Sequence, residues 1–336
     1  MKVGVNDAAP SWFIVDSGAS GCVVDTAYAK RLGLKTEGER RITGAGKGTI
    51  ETTFTKDVTY RLPGVSLAVP SSFVIDLSGQ RTLQGRDVAG ILGYDFFARW
   101  VVDLDFEARV MTLHEPAGYK PTSNVIPFTL VKKTPHVKVL ITLPNKKAVT
   151  SEVLVDSGSG DAVDDDVLAQ SADKVEIIGG VGLGQEFRTT LGRASFVQIG
   201  PFAIAKPVGA TGGVPLIGLE ILRRFHVTFD YSRSRLVLSP NSHYNDAFDI
   251  DASGLDVRWT QDLTRFVVHD VARDSTAELG GFKTGDVIER IDGEPAASFT
   301  IEQFQKLLTR AGITHRLTVR RGSEELGLTL FLAHRL

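Results

Sequence analysis

The chain has 336 residues, of which 42% are hydrophobic and 23% charged, and its 38 basic and 40 acidic side chains give a net charge of −2. The apolar share supports packed cores and excludes wholesale disorder, while the near-neutral charge argues against a binder of nucleic acid or membrane surfaces. One cysteine, Cys22, excludes an intramolecular disulfide, and no apolar run reaches the roughly 20 residues that span a bilayer.

The first part of the chain is predicted to consist of short strands with one helix. Val3–Val5 and Trp12–Val15 have the pattern of strands on either side of an Asn6–Asp7 turn. Residues 26–32 have helical spacing, and Gly33 follows as a C-cap. Strand-like runs and glycine dominate the rest, so the fold is predicted to be mainly β.

An internal duplication organises residues 1–240. The segment Phe13–Ser20, which contains Asp-Ser-Gly, recurs 140 residues later as Val153–Gly160, and Ile91–Phe97 recurs as Leu216–Leu222. Glycine-rich hairpin tips occupy matching places in the two halves, at 42–48 and 177–184. The repeat predicts two lobes of one design, at 1–120 (lobe one) and 121–240 (lobe two).

The remaining residues have a different pattern. A polar stretch at 241–251 is predicted to be a linker, and 252–336 a small α+β domain. Its clearest helix is predicted at 300–311, where one face carries Ile301, Phe304, Leu307 and Leu308.

The paired Asp-Ser-Gly turns suggest a chemistry. A single copy is most simply a polar turn, but two copies that end matching strands can bring Asp16 and Asp156 together at the lobe interface. Two neighbouring buried carboxylates share one proton, so one can activate a water while the other protonates a carbonyl oxygen. Glycine after the serine lets the backbone approach the carboxylates, and the serine hydroxyls can link the lobes.

On these motifs, residues 1–240 resemble a single-chain, two-lobed aspartic protease of the pepsin and retropepsin superfamily, of bacterial type. The resemblance implies two pseudo-symmetric β-barrel lobes with Asp16 and Asp156 as catalytic residues. It also implies that five residues support the catalytic pair: Ser17, Gly18, Ser20, Ser157 and Gly158. It implies that two flaps contain Gly44, Gly46, Gly48, Gly180 and Gly182.

The sequence departs from that family at two kinds of position. Serine follows each aspartate where the family more often has threonine. Ser20 matches the family's hydroxyl that bonds the outer carboxylate oxygen, but the matching residue of lobe two is Gly160.

Residues 252–336 resemble a PDZ domain of the bacterial kind, on the stretch Val271–Ile288 followed by Ile291-Asp292-Gly293. The resemblance implies that Ser253–Val257, with Gly254, Leu255 and Val257, forms a carboxylate-binding loop and its adjoining strand. The 300–311 helix would form the other wall of a groove that binds a peptide as an added strand. The alternative is a docking module that packs on the protease and binds nothing.

The leading hypothesis is an aspartic endopeptidase that hydrolyses peptide bonds, with the PDZ groove recruiting substrates or binding a C-terminal peptide. The rival is a weak or inactive peptide-binding adaptor. We expect no metal, cofactor or nucleic-acid partner and no membrane span. A periplasmic or secreted site is favoured if a leader was removed.

Other clusters are assigned ordinary roles. The acidic run Asp161, Asp164, Asp165 and Asp166 lacks calcium-loop spacing and is assigned to a helix N-terminus. Cys22 is expected to be a buried, inert thiol. Arg99 and Arg224 recur between the halves and are expected to pack on helix surfaces.

Overall fold

The structure is a computed structural model that describes the backbone of residues 1–43, 49–122, 124–182 and 185–336. It also describes the side chains of these residues, except at 42–43, 176–182 and 185–188.

Lobe one is built mainly from one strongly paired sheet. Its elements, in chain order, are β1 (Lys2–Val5), β2 (Ser11–Val15), β3 (Val23–Asp25), α1 (Thr26–Arg31), β4 (Thr36–Thr43), β5 (Thr49–Leu62), β6 (Val65–Ile75), α2 (Ser78–Gln84), β7 (Val88–Leu92), α3 (Tyr94–Arg99), β8 (Val101–Asp105) and β9 (Val110–His114). Seven strands run in the order β1-β2-β7-β3-β6-β5-β4, and β1 also pairs with β5. That second pairing closes the sheet into a barrel around Phe13, Val58 and Tyr60.

Lobe two repeats this plan. Its elements are β10 (Asn124–Pro127), β11 (Thr129–Val131), β12 (Thr134–Thr142), β13 (Ala148–Val155), β14 (Val163–Asp164), β15 (Lys174–Gly182), β16 (Gln185–Arg193), β17 (Phe196–Ile199), β18 (Phe202–Ala205), β19 (Val208–Ala210), β20 (Leu216–Ile217), α4 (Leu219–Leu222), β21 (Phe225–Asp230) and β22 (Arg235–Pro240). A ten-stranded sheet contains β11–β20. Short 3₁₀ turns at 116–118, 166–170 and 231–233 complete the two halves.

A five-stranded sheet joins the two lobes. Its order is β10-β22-β21-β8-β9, so strands from lobe one and lobe two pair directly across β8 and β21. On one face His226 of β21 bonds the Asp103 carboxylate of β8. On the other face Phe97, Phe229 and Tyr231 pack together. The two lobes therefore contribute strands to one common sheet, which the two-lobe prediction did not include.

The expected surface role of Arg224 was wrong. Its side chain is fully buried, and its guanidinium donates to the carbonyl oxygens of His243, Asp246 and Ala247. The guanidinium also lies 3.7 Å from the ring centroid of Phe248, and burial lowers its pKa. The first part of the 241–251 segment is thus held against lobe two, because three carbonyls supply the hydrogen bonds that a buried guanidinium requires.

Arg99 is instead half-exposed, and its guanidinium makes two hydrogen bonds to the Glu115 carboxylate. This exposed pair contributes little to stability.

The C-terminal segment has its own sheet and core. Its elements are β23 (Leu255–Trp259), β24 (Phe266–Val271), α5 (Thr276–Leu279), β25 (Val287–Ile291), β26 (Glu294–Pro295), α6 (Ile301–Leu307), β27 (Thr314–Arg321) and β28 (Glu324–Phe331), with a 3₁₀ turn at 296–298. The sheet order is β23-β24-β25-β27-β28, so β23 is an edge strand. The mainly β fold class is confirmed.

Helix α6 is shorter than the predicted 300–311 helix. Thr300 caps its N-terminus in a reciprocal capping box with Gln303. The helix ends at Leu307, and the chain then turns to Gly312, whose φ of +87° is incompatible with a right-handed helix.

Helix α2 of lobe one lies against edge strand β23. Gly85, which ends α2 in a left-handed conformation with a φ of +61°, faces the indole of Trp259. A Cβ added at Gly85 would lie 2.4 Å from Nε1 of Trp259. The C-terminal segment therefore rests on lobe one through its edge strand.

Candidate active site

Two strands deliver the two aspartates to the lobe interface. Asp16 directly follows β2, which pairs in parallel with β7, and its N–H donates to the carbonyl of Leu92 over 3.0 Å. Asp156 directly follows β13, which pairs in parallel with β20, and its N–H donates to Ile217 over 2.9 Å. The apolar-apolar-Gly motifs thus hold the ends of the Asp-Ser-Gly strands, which explains why both motifs recur together.

The two serines link the lobes reciprocally. The hydroxyl of Ser17 donates to the carbonyl of Val155 (2.7 Å) and accepts the N–H of Ser157 (2.9 Å). The hydroxyl of Ser157 donates to the carbonyl of Val15 (2.9 Å) and accepts the N–H of Ser17 (3.0 Å). Ser17 is fully buried, so its bond to the carbonyl of Val155 is shielded from water, while the other three bonds are partly buried.

The reciprocal bonds bring the carboxyl groups of Asp16 and Asp156 into hydrogen-bond contact. Each carboxylate accepts the N–H of the glycine two residues on, Gly18 at 2.7 Å and Gly158 at 2.8 Å. Each glycine also faces the opposite aspartate. A Cβ on Gly158 would lie 2.4 Å from Cγ of Asp16, and one on Gly18 would lie 2.6 Å from Cγ of Asp156.

Both aspartates have raised pKa values. Burial, followed by the charge of Asp156, raises the pKa of Asp16 well above its ordinary value. Burial also raises the pKa of Asp156, although bonds from Asp16 and from the N–H groups of Gly158 and Ser159 oppose the rise. Because the groups are in contact, their titrations belong to the pair, which retains one proton at pH values where an isolated aspartate has lost it.

The hydroxyl bond expected at the outer carboxylate oxygen of Asp16 is not formed by Ser20. Ser20 is exposed and, within the part of the chain that the structure describes, makes no hydrogen bond to Asp16. In lobe two the N–H of Ser159 donates to the Asp156 carboxylate over 3.2 Å. Nothing lies within 4 Å of a Cβ placed on Gly160. The missing lobe-two hydroxyl therefore leaves open space.

The glycine-rich segments fall on two hairpins. Strands β4 and β5 pair from Thr36–Thr55 to Thr43–Thr49, and their connecting turn, with Gly44, Gly46 and Gly48, lies outside the described residues. Strands β15 and β16 pair up to Gly182–Gln185, which places Gly180 and Gly182 in β15, while 183–184 are outside the described residues. The predicted flap segments thus extend from paired strands.

The acidic run of lobe two separates into different roles. Asp165 caps the 3₁₀ turn, as the helix-terminus assignment expected, by accepting the N–H of Val167. Asp164 is buried beside it, and Oδ1 of its carboxyl has no hydrogen-bond partner among the residues that the structure describes. Burial, together with the charge of Asp161, raises the pKa of Asp164 to about 7.

A loop before β23 contains the residues assigned to carboxylate binding. Gly254 has a φ of +80°, and a Cβ there would lie 2.4 Å from the Cβ of Ser275. Leu255 and Val257 are buried in the core of the C-terminal segment. The Asp251 carboxylate accepts the N–H groups of Ser253 (3.0 Å) and Gly254 (2.6 Å). The loop is therefore folded around a side chain of this chain.

Comparison with known proteins agrees with these two regions. Residues 1–96 match the aspartyl protease family, and residues 267–321 match the PDZ domain family. The chain contains an aspartyl protease domain and a PDZ domain. The HtrA3 PDZ domain, solved bound to a phage-derived ligand (FGRWV), is similar to the chain at 25% identity. That similarity covers 24% of this chain and 84% of that chain, with a TM-score of 0.22. No curated protein matches the chain.

Tyr231 is a residue near the aspartate pair that the sequence analysis missed. Its buried hydroxyl donates to the carbonyl of Ser17 over 3.0 Å, directly beneath the aspartate pair. Burial, and then the charges of Asp16 and Asp156, raise its pKa well above the ordinary value. The second repeat, continued at its offset of 125 residues, aligns Tyr231 with Phe106 of lobe one, but this pairing does not reveal which group the Tyr231 hydroxyl bonds.

Two further properties bear on partners and cofactors. Among the described residues no cluster of three or more His, Cys, Asp or Glu side chains could hold a metal ion. No helix within the described ranges has the length and apolar character needed to cross a membrane. Cys22 is buried, and burial raises the pKa of its thiol to about 12.

Proposed function

We propose that the chain is an aspartic endopeptidase whose catalytic residues are Asp16 and Asp156. The observation that carries this proposal is the contact between their carboxyl groups, held by reciprocal serine bonds from the two lobes. We assign lobe one to 1–120, lobe two to 121–240, the connecting segment to 241–251 and the PDZ domain to 252–336.

The mechanism follows from one shared proton. The ionised carboxylate accepts a proton from a water between the lobes, and that water attacks the peptide carbonyl carbon. The protonated carboxyl donates its proton to the carbonyl oxygen, giving a tetrahedral intermediate without covalent attachment to the enzyme. The carboxyl that took the proton from the water then gives it to the amide nitrogen, while the other carboxylate takes a proton from a hydroxyl of the intermediate. The C–N bond breaks, an amine and a carboxylic acid leave, and the pair again holds one proton. The N–H groups of Gly18 and Gly158 keep both carboxyls oriented.

The raised pKa values define the pH range of this mechanism. Activity requires the singly protonated pair, so it falls at low pH when both carboxyls are protonated and at high pH when the shared proton leaves. Burial raises the pKa of both aspartates, and the charge of Asp156 raises that of Asp16 further. The high-pH limb therefore lies above the pH at which an ordinary aspartate ionises.

The two hairpins support an extended peptide as the substrate. The paired strands of each hairpin belong to the lobes that supply the aspartates, as expected of segments that line a cleft for an extended chain. The PDZ domain supports recruitment of protein substrates, since such domains bind peptides along an edge strand.

The test uses three variants and an unfolded protein substrate between pH 3 and 7. We expect Asp16→Asn and Asp156→Asn each to lower kcat by at least 100-fold, because either change removes the ionisable pair. Asp173→Asn, which changes an exposed aspartate of lobe two, should match the parent. Equal cleavage by all four proteins would exclude the proposed mechanism.

A second candidate function is a peptide-binding adaptor with little or no catalysis. The observation that favours it is the outer side of the aspartate pair, where Ser20 makes no bond to Asp16 and Gly160 has no hydroxyl. An inhibitor with a statine-like hydroxyl distinguishes the two functions. A rise in Tm at saturating inhibitor supports the protease, and an unchanged Tm supports the adaptor.

A further inference from the structure

The carboxylate-binding loop of the PDZ domain already holds a carboxylate. The N–H groups of Ser253 and Gly254 donate to opposite oxygens of Asp251, and the Ser253 hydroxyl also donates to Asp251. The next N–H, that of Leu255, donates to the Ser253 hydroxyl over 3.0 Å. These three successive N–H groups are the donors that the loop would offer to the terminal carboxylate of a peptide.

A basic side chain completes this site. Nη1 of Arg335 lies 3.2 Å from Oδ2 of Asp251, and only 12% of the Arg335 side chain is exposed. Backbone N–H groups, a hydroxyl and a guanidinium together form a site suited to any carboxylate. Asp251 occupies it from the adjoining segment, three residues before Gly254.

The far end of the groove also meets this chain. Strand β23 runs from Leu255 beside the loop to Trp259, about 13 Å at the usual rise per residue. At the Trp259 end, Gly85 and helix α2 of the protease region lie against the indole. Trp259 in turn packs on Phe266, 4.2 Å between ring centroids, and Phe266 packs on Phe304 of α6. A peptide added along β23 therefore has an occupied loop at one end and α2 at the other.

We propose that Asp251 is a specificity-determining residue that fills the carboxylate site of the PDZ groove and keeps the terminal carboxylate of a bound peptide out of that site. A peptide carboxylate can use the loop N–H groups and Arg335 only after the Asp251 side chain leaves. In the parent protein the groove consequently does not distinguish a free C-terminus from a blocked one. This inference rests on the peptide-binding role proposed for the groove, but not on catalysis by the aspartate pair.

The test measures binding to the full chain at pH 7.5. The probes are a fluorescent pentapeptide that ends in valine with a free carboxylate and the same peptide as its C-terminal amide. The variants are Asp251→Ala, which opens the site, and Asp251→Asn, which keeps one oxygen acceptor and removes the charge. Asp249→Ala is the matched control, since it removes an exposed aspartate from the same segment.

We expect the parent and Asp249→Ala to bind the two peptides with Kd values within twofold of each other. Asp251→Ala should bind the free acid at least tenfold more tightly than the amide, with Asp251→Asn intermediate. Adding Arg335→Ala to Asp251→Ala should remove most of that preference. If Asp251→Ala does not fold, as judged by Tm, the inference is tested with Asp251→Asn alone. That variant should then bind the free acid at least threefold more tightly than the amide.

Two results would overturn the inference. One is a tenfold preference of the parent for the free acid, which would mean that Asp251 does not block the site. The other is a folded Asp251→Ala or Asp251→Asn protein without the expected preference, including one that binds neither peptide. Because no cleavage is measured, loss of the proposed protease activity would leave these outcomes unchanged.

Discussion

Removing the hydroxyl of Ser17 tests how the lobes are held together at the aspartate pair. Ser17→Ala leaves the carbonyl of Val155 and the N–H of Ser157 without their partner. Each buried group left unsatisfied costs about 1–3 kcal/mol, so the loss of both partners should lower the free energy of unfolding by roughly 2–6 kcal/mol. Ser157→Ala removes the pseudo-symmetric bonds to Val15 and Ser17 and should cost a similar amount.

The assay is urea unfolding together with peptide cleavage. A small shift between the carboxyls alters the geometry of attack, and misplacement by about 1 Å can lower a rate by about 100-fold. We therefore expect kcat/KM of Ser17→Ala to fall at least tenfold. Ser17→Thr, which keeps a hydroxyl at this position, should retain activity.

Ser20→Ala is the matched control, because it removes an exposed hydroxyl that does not bond Asp16. Surface substitutions of this kind change stability by no more than about 0.5 kcal/mol. If Ser17→Ala and Ser20→Ala had the same small effect on unfolding, the reciprocal serine bonds would not be what joins the lobes at this site.

Four further outcomes follow from particular contacts. The raised pKa of Asp164, about 7 against 3.8, means that its contribution to stability is present below pH 4 and is lost as the pH rises through 7. The change in unfolding free energy caused by Asp164→Val should therefore be more favourable at pH 8 than at pH 4 by up to roughly 4 kcal/mol. Urea unfolding that gives the same change at both pH values would contradict this. Tyr231→Phe should lower the unfolding free energy by about 1–2 kcal/mol through loss of the bond to Ser17, and an unchanged urea midpoint would count against that bond. Gly158→Ala should lower kcat at least 100-fold with a folded far-UV spectrum, because its Cβ meets the Asp16 carboxyl; full activity would refute the close packing. Gly160→Ser should change the unfolding free energy by no more than about 0.5 kcal/mol, since the space around Gly160 is open. A larger decrease would show that the space is not open.

Much of the local structure was predictable because it depends on short-range pattern. Strands β1 and β2 lie where alternation and the Asn6–Asp7 turn predicted them, and α1 ends at Arg31, two residues before Gly33. The end of α6 was not predictable from apolar spacing alone. Distant residues bond the chain where the helix stops, since the carbonyl of Leu308 accepts the N–H of Ala252 and the N–H of Gly312 donates to the carbonyl of Leu332.

The site was predictable to the extent that it was duplicated. The repeated motifs identified Asp16 and Asp156 as a pair, but not the roles of Tyr231 or Arg224. Both act through partners far along the chain, the Ser17 carbonyl for Tyr231 and the carbonyls at 243–247 for Arg224. The sequence shows which side chains can donate or accept a hydrogen bond, but it does not show which group will be the partner.

The sequence by itself determined the order of elements, the two-lobe repeat and the residue types available to the site, because these depend on side-chain periodicity and on motifs that can be counted. Tertiary structure alone decided that β8 and β21 share a sheet and that Asp251 occupies the PDZ loop. The physical reason is that a buried donor or acceptor takes whichever partner the packed chain places within about 3 Å, and that choice is made between residues distant in sequence or between equivalent acidic neighbours.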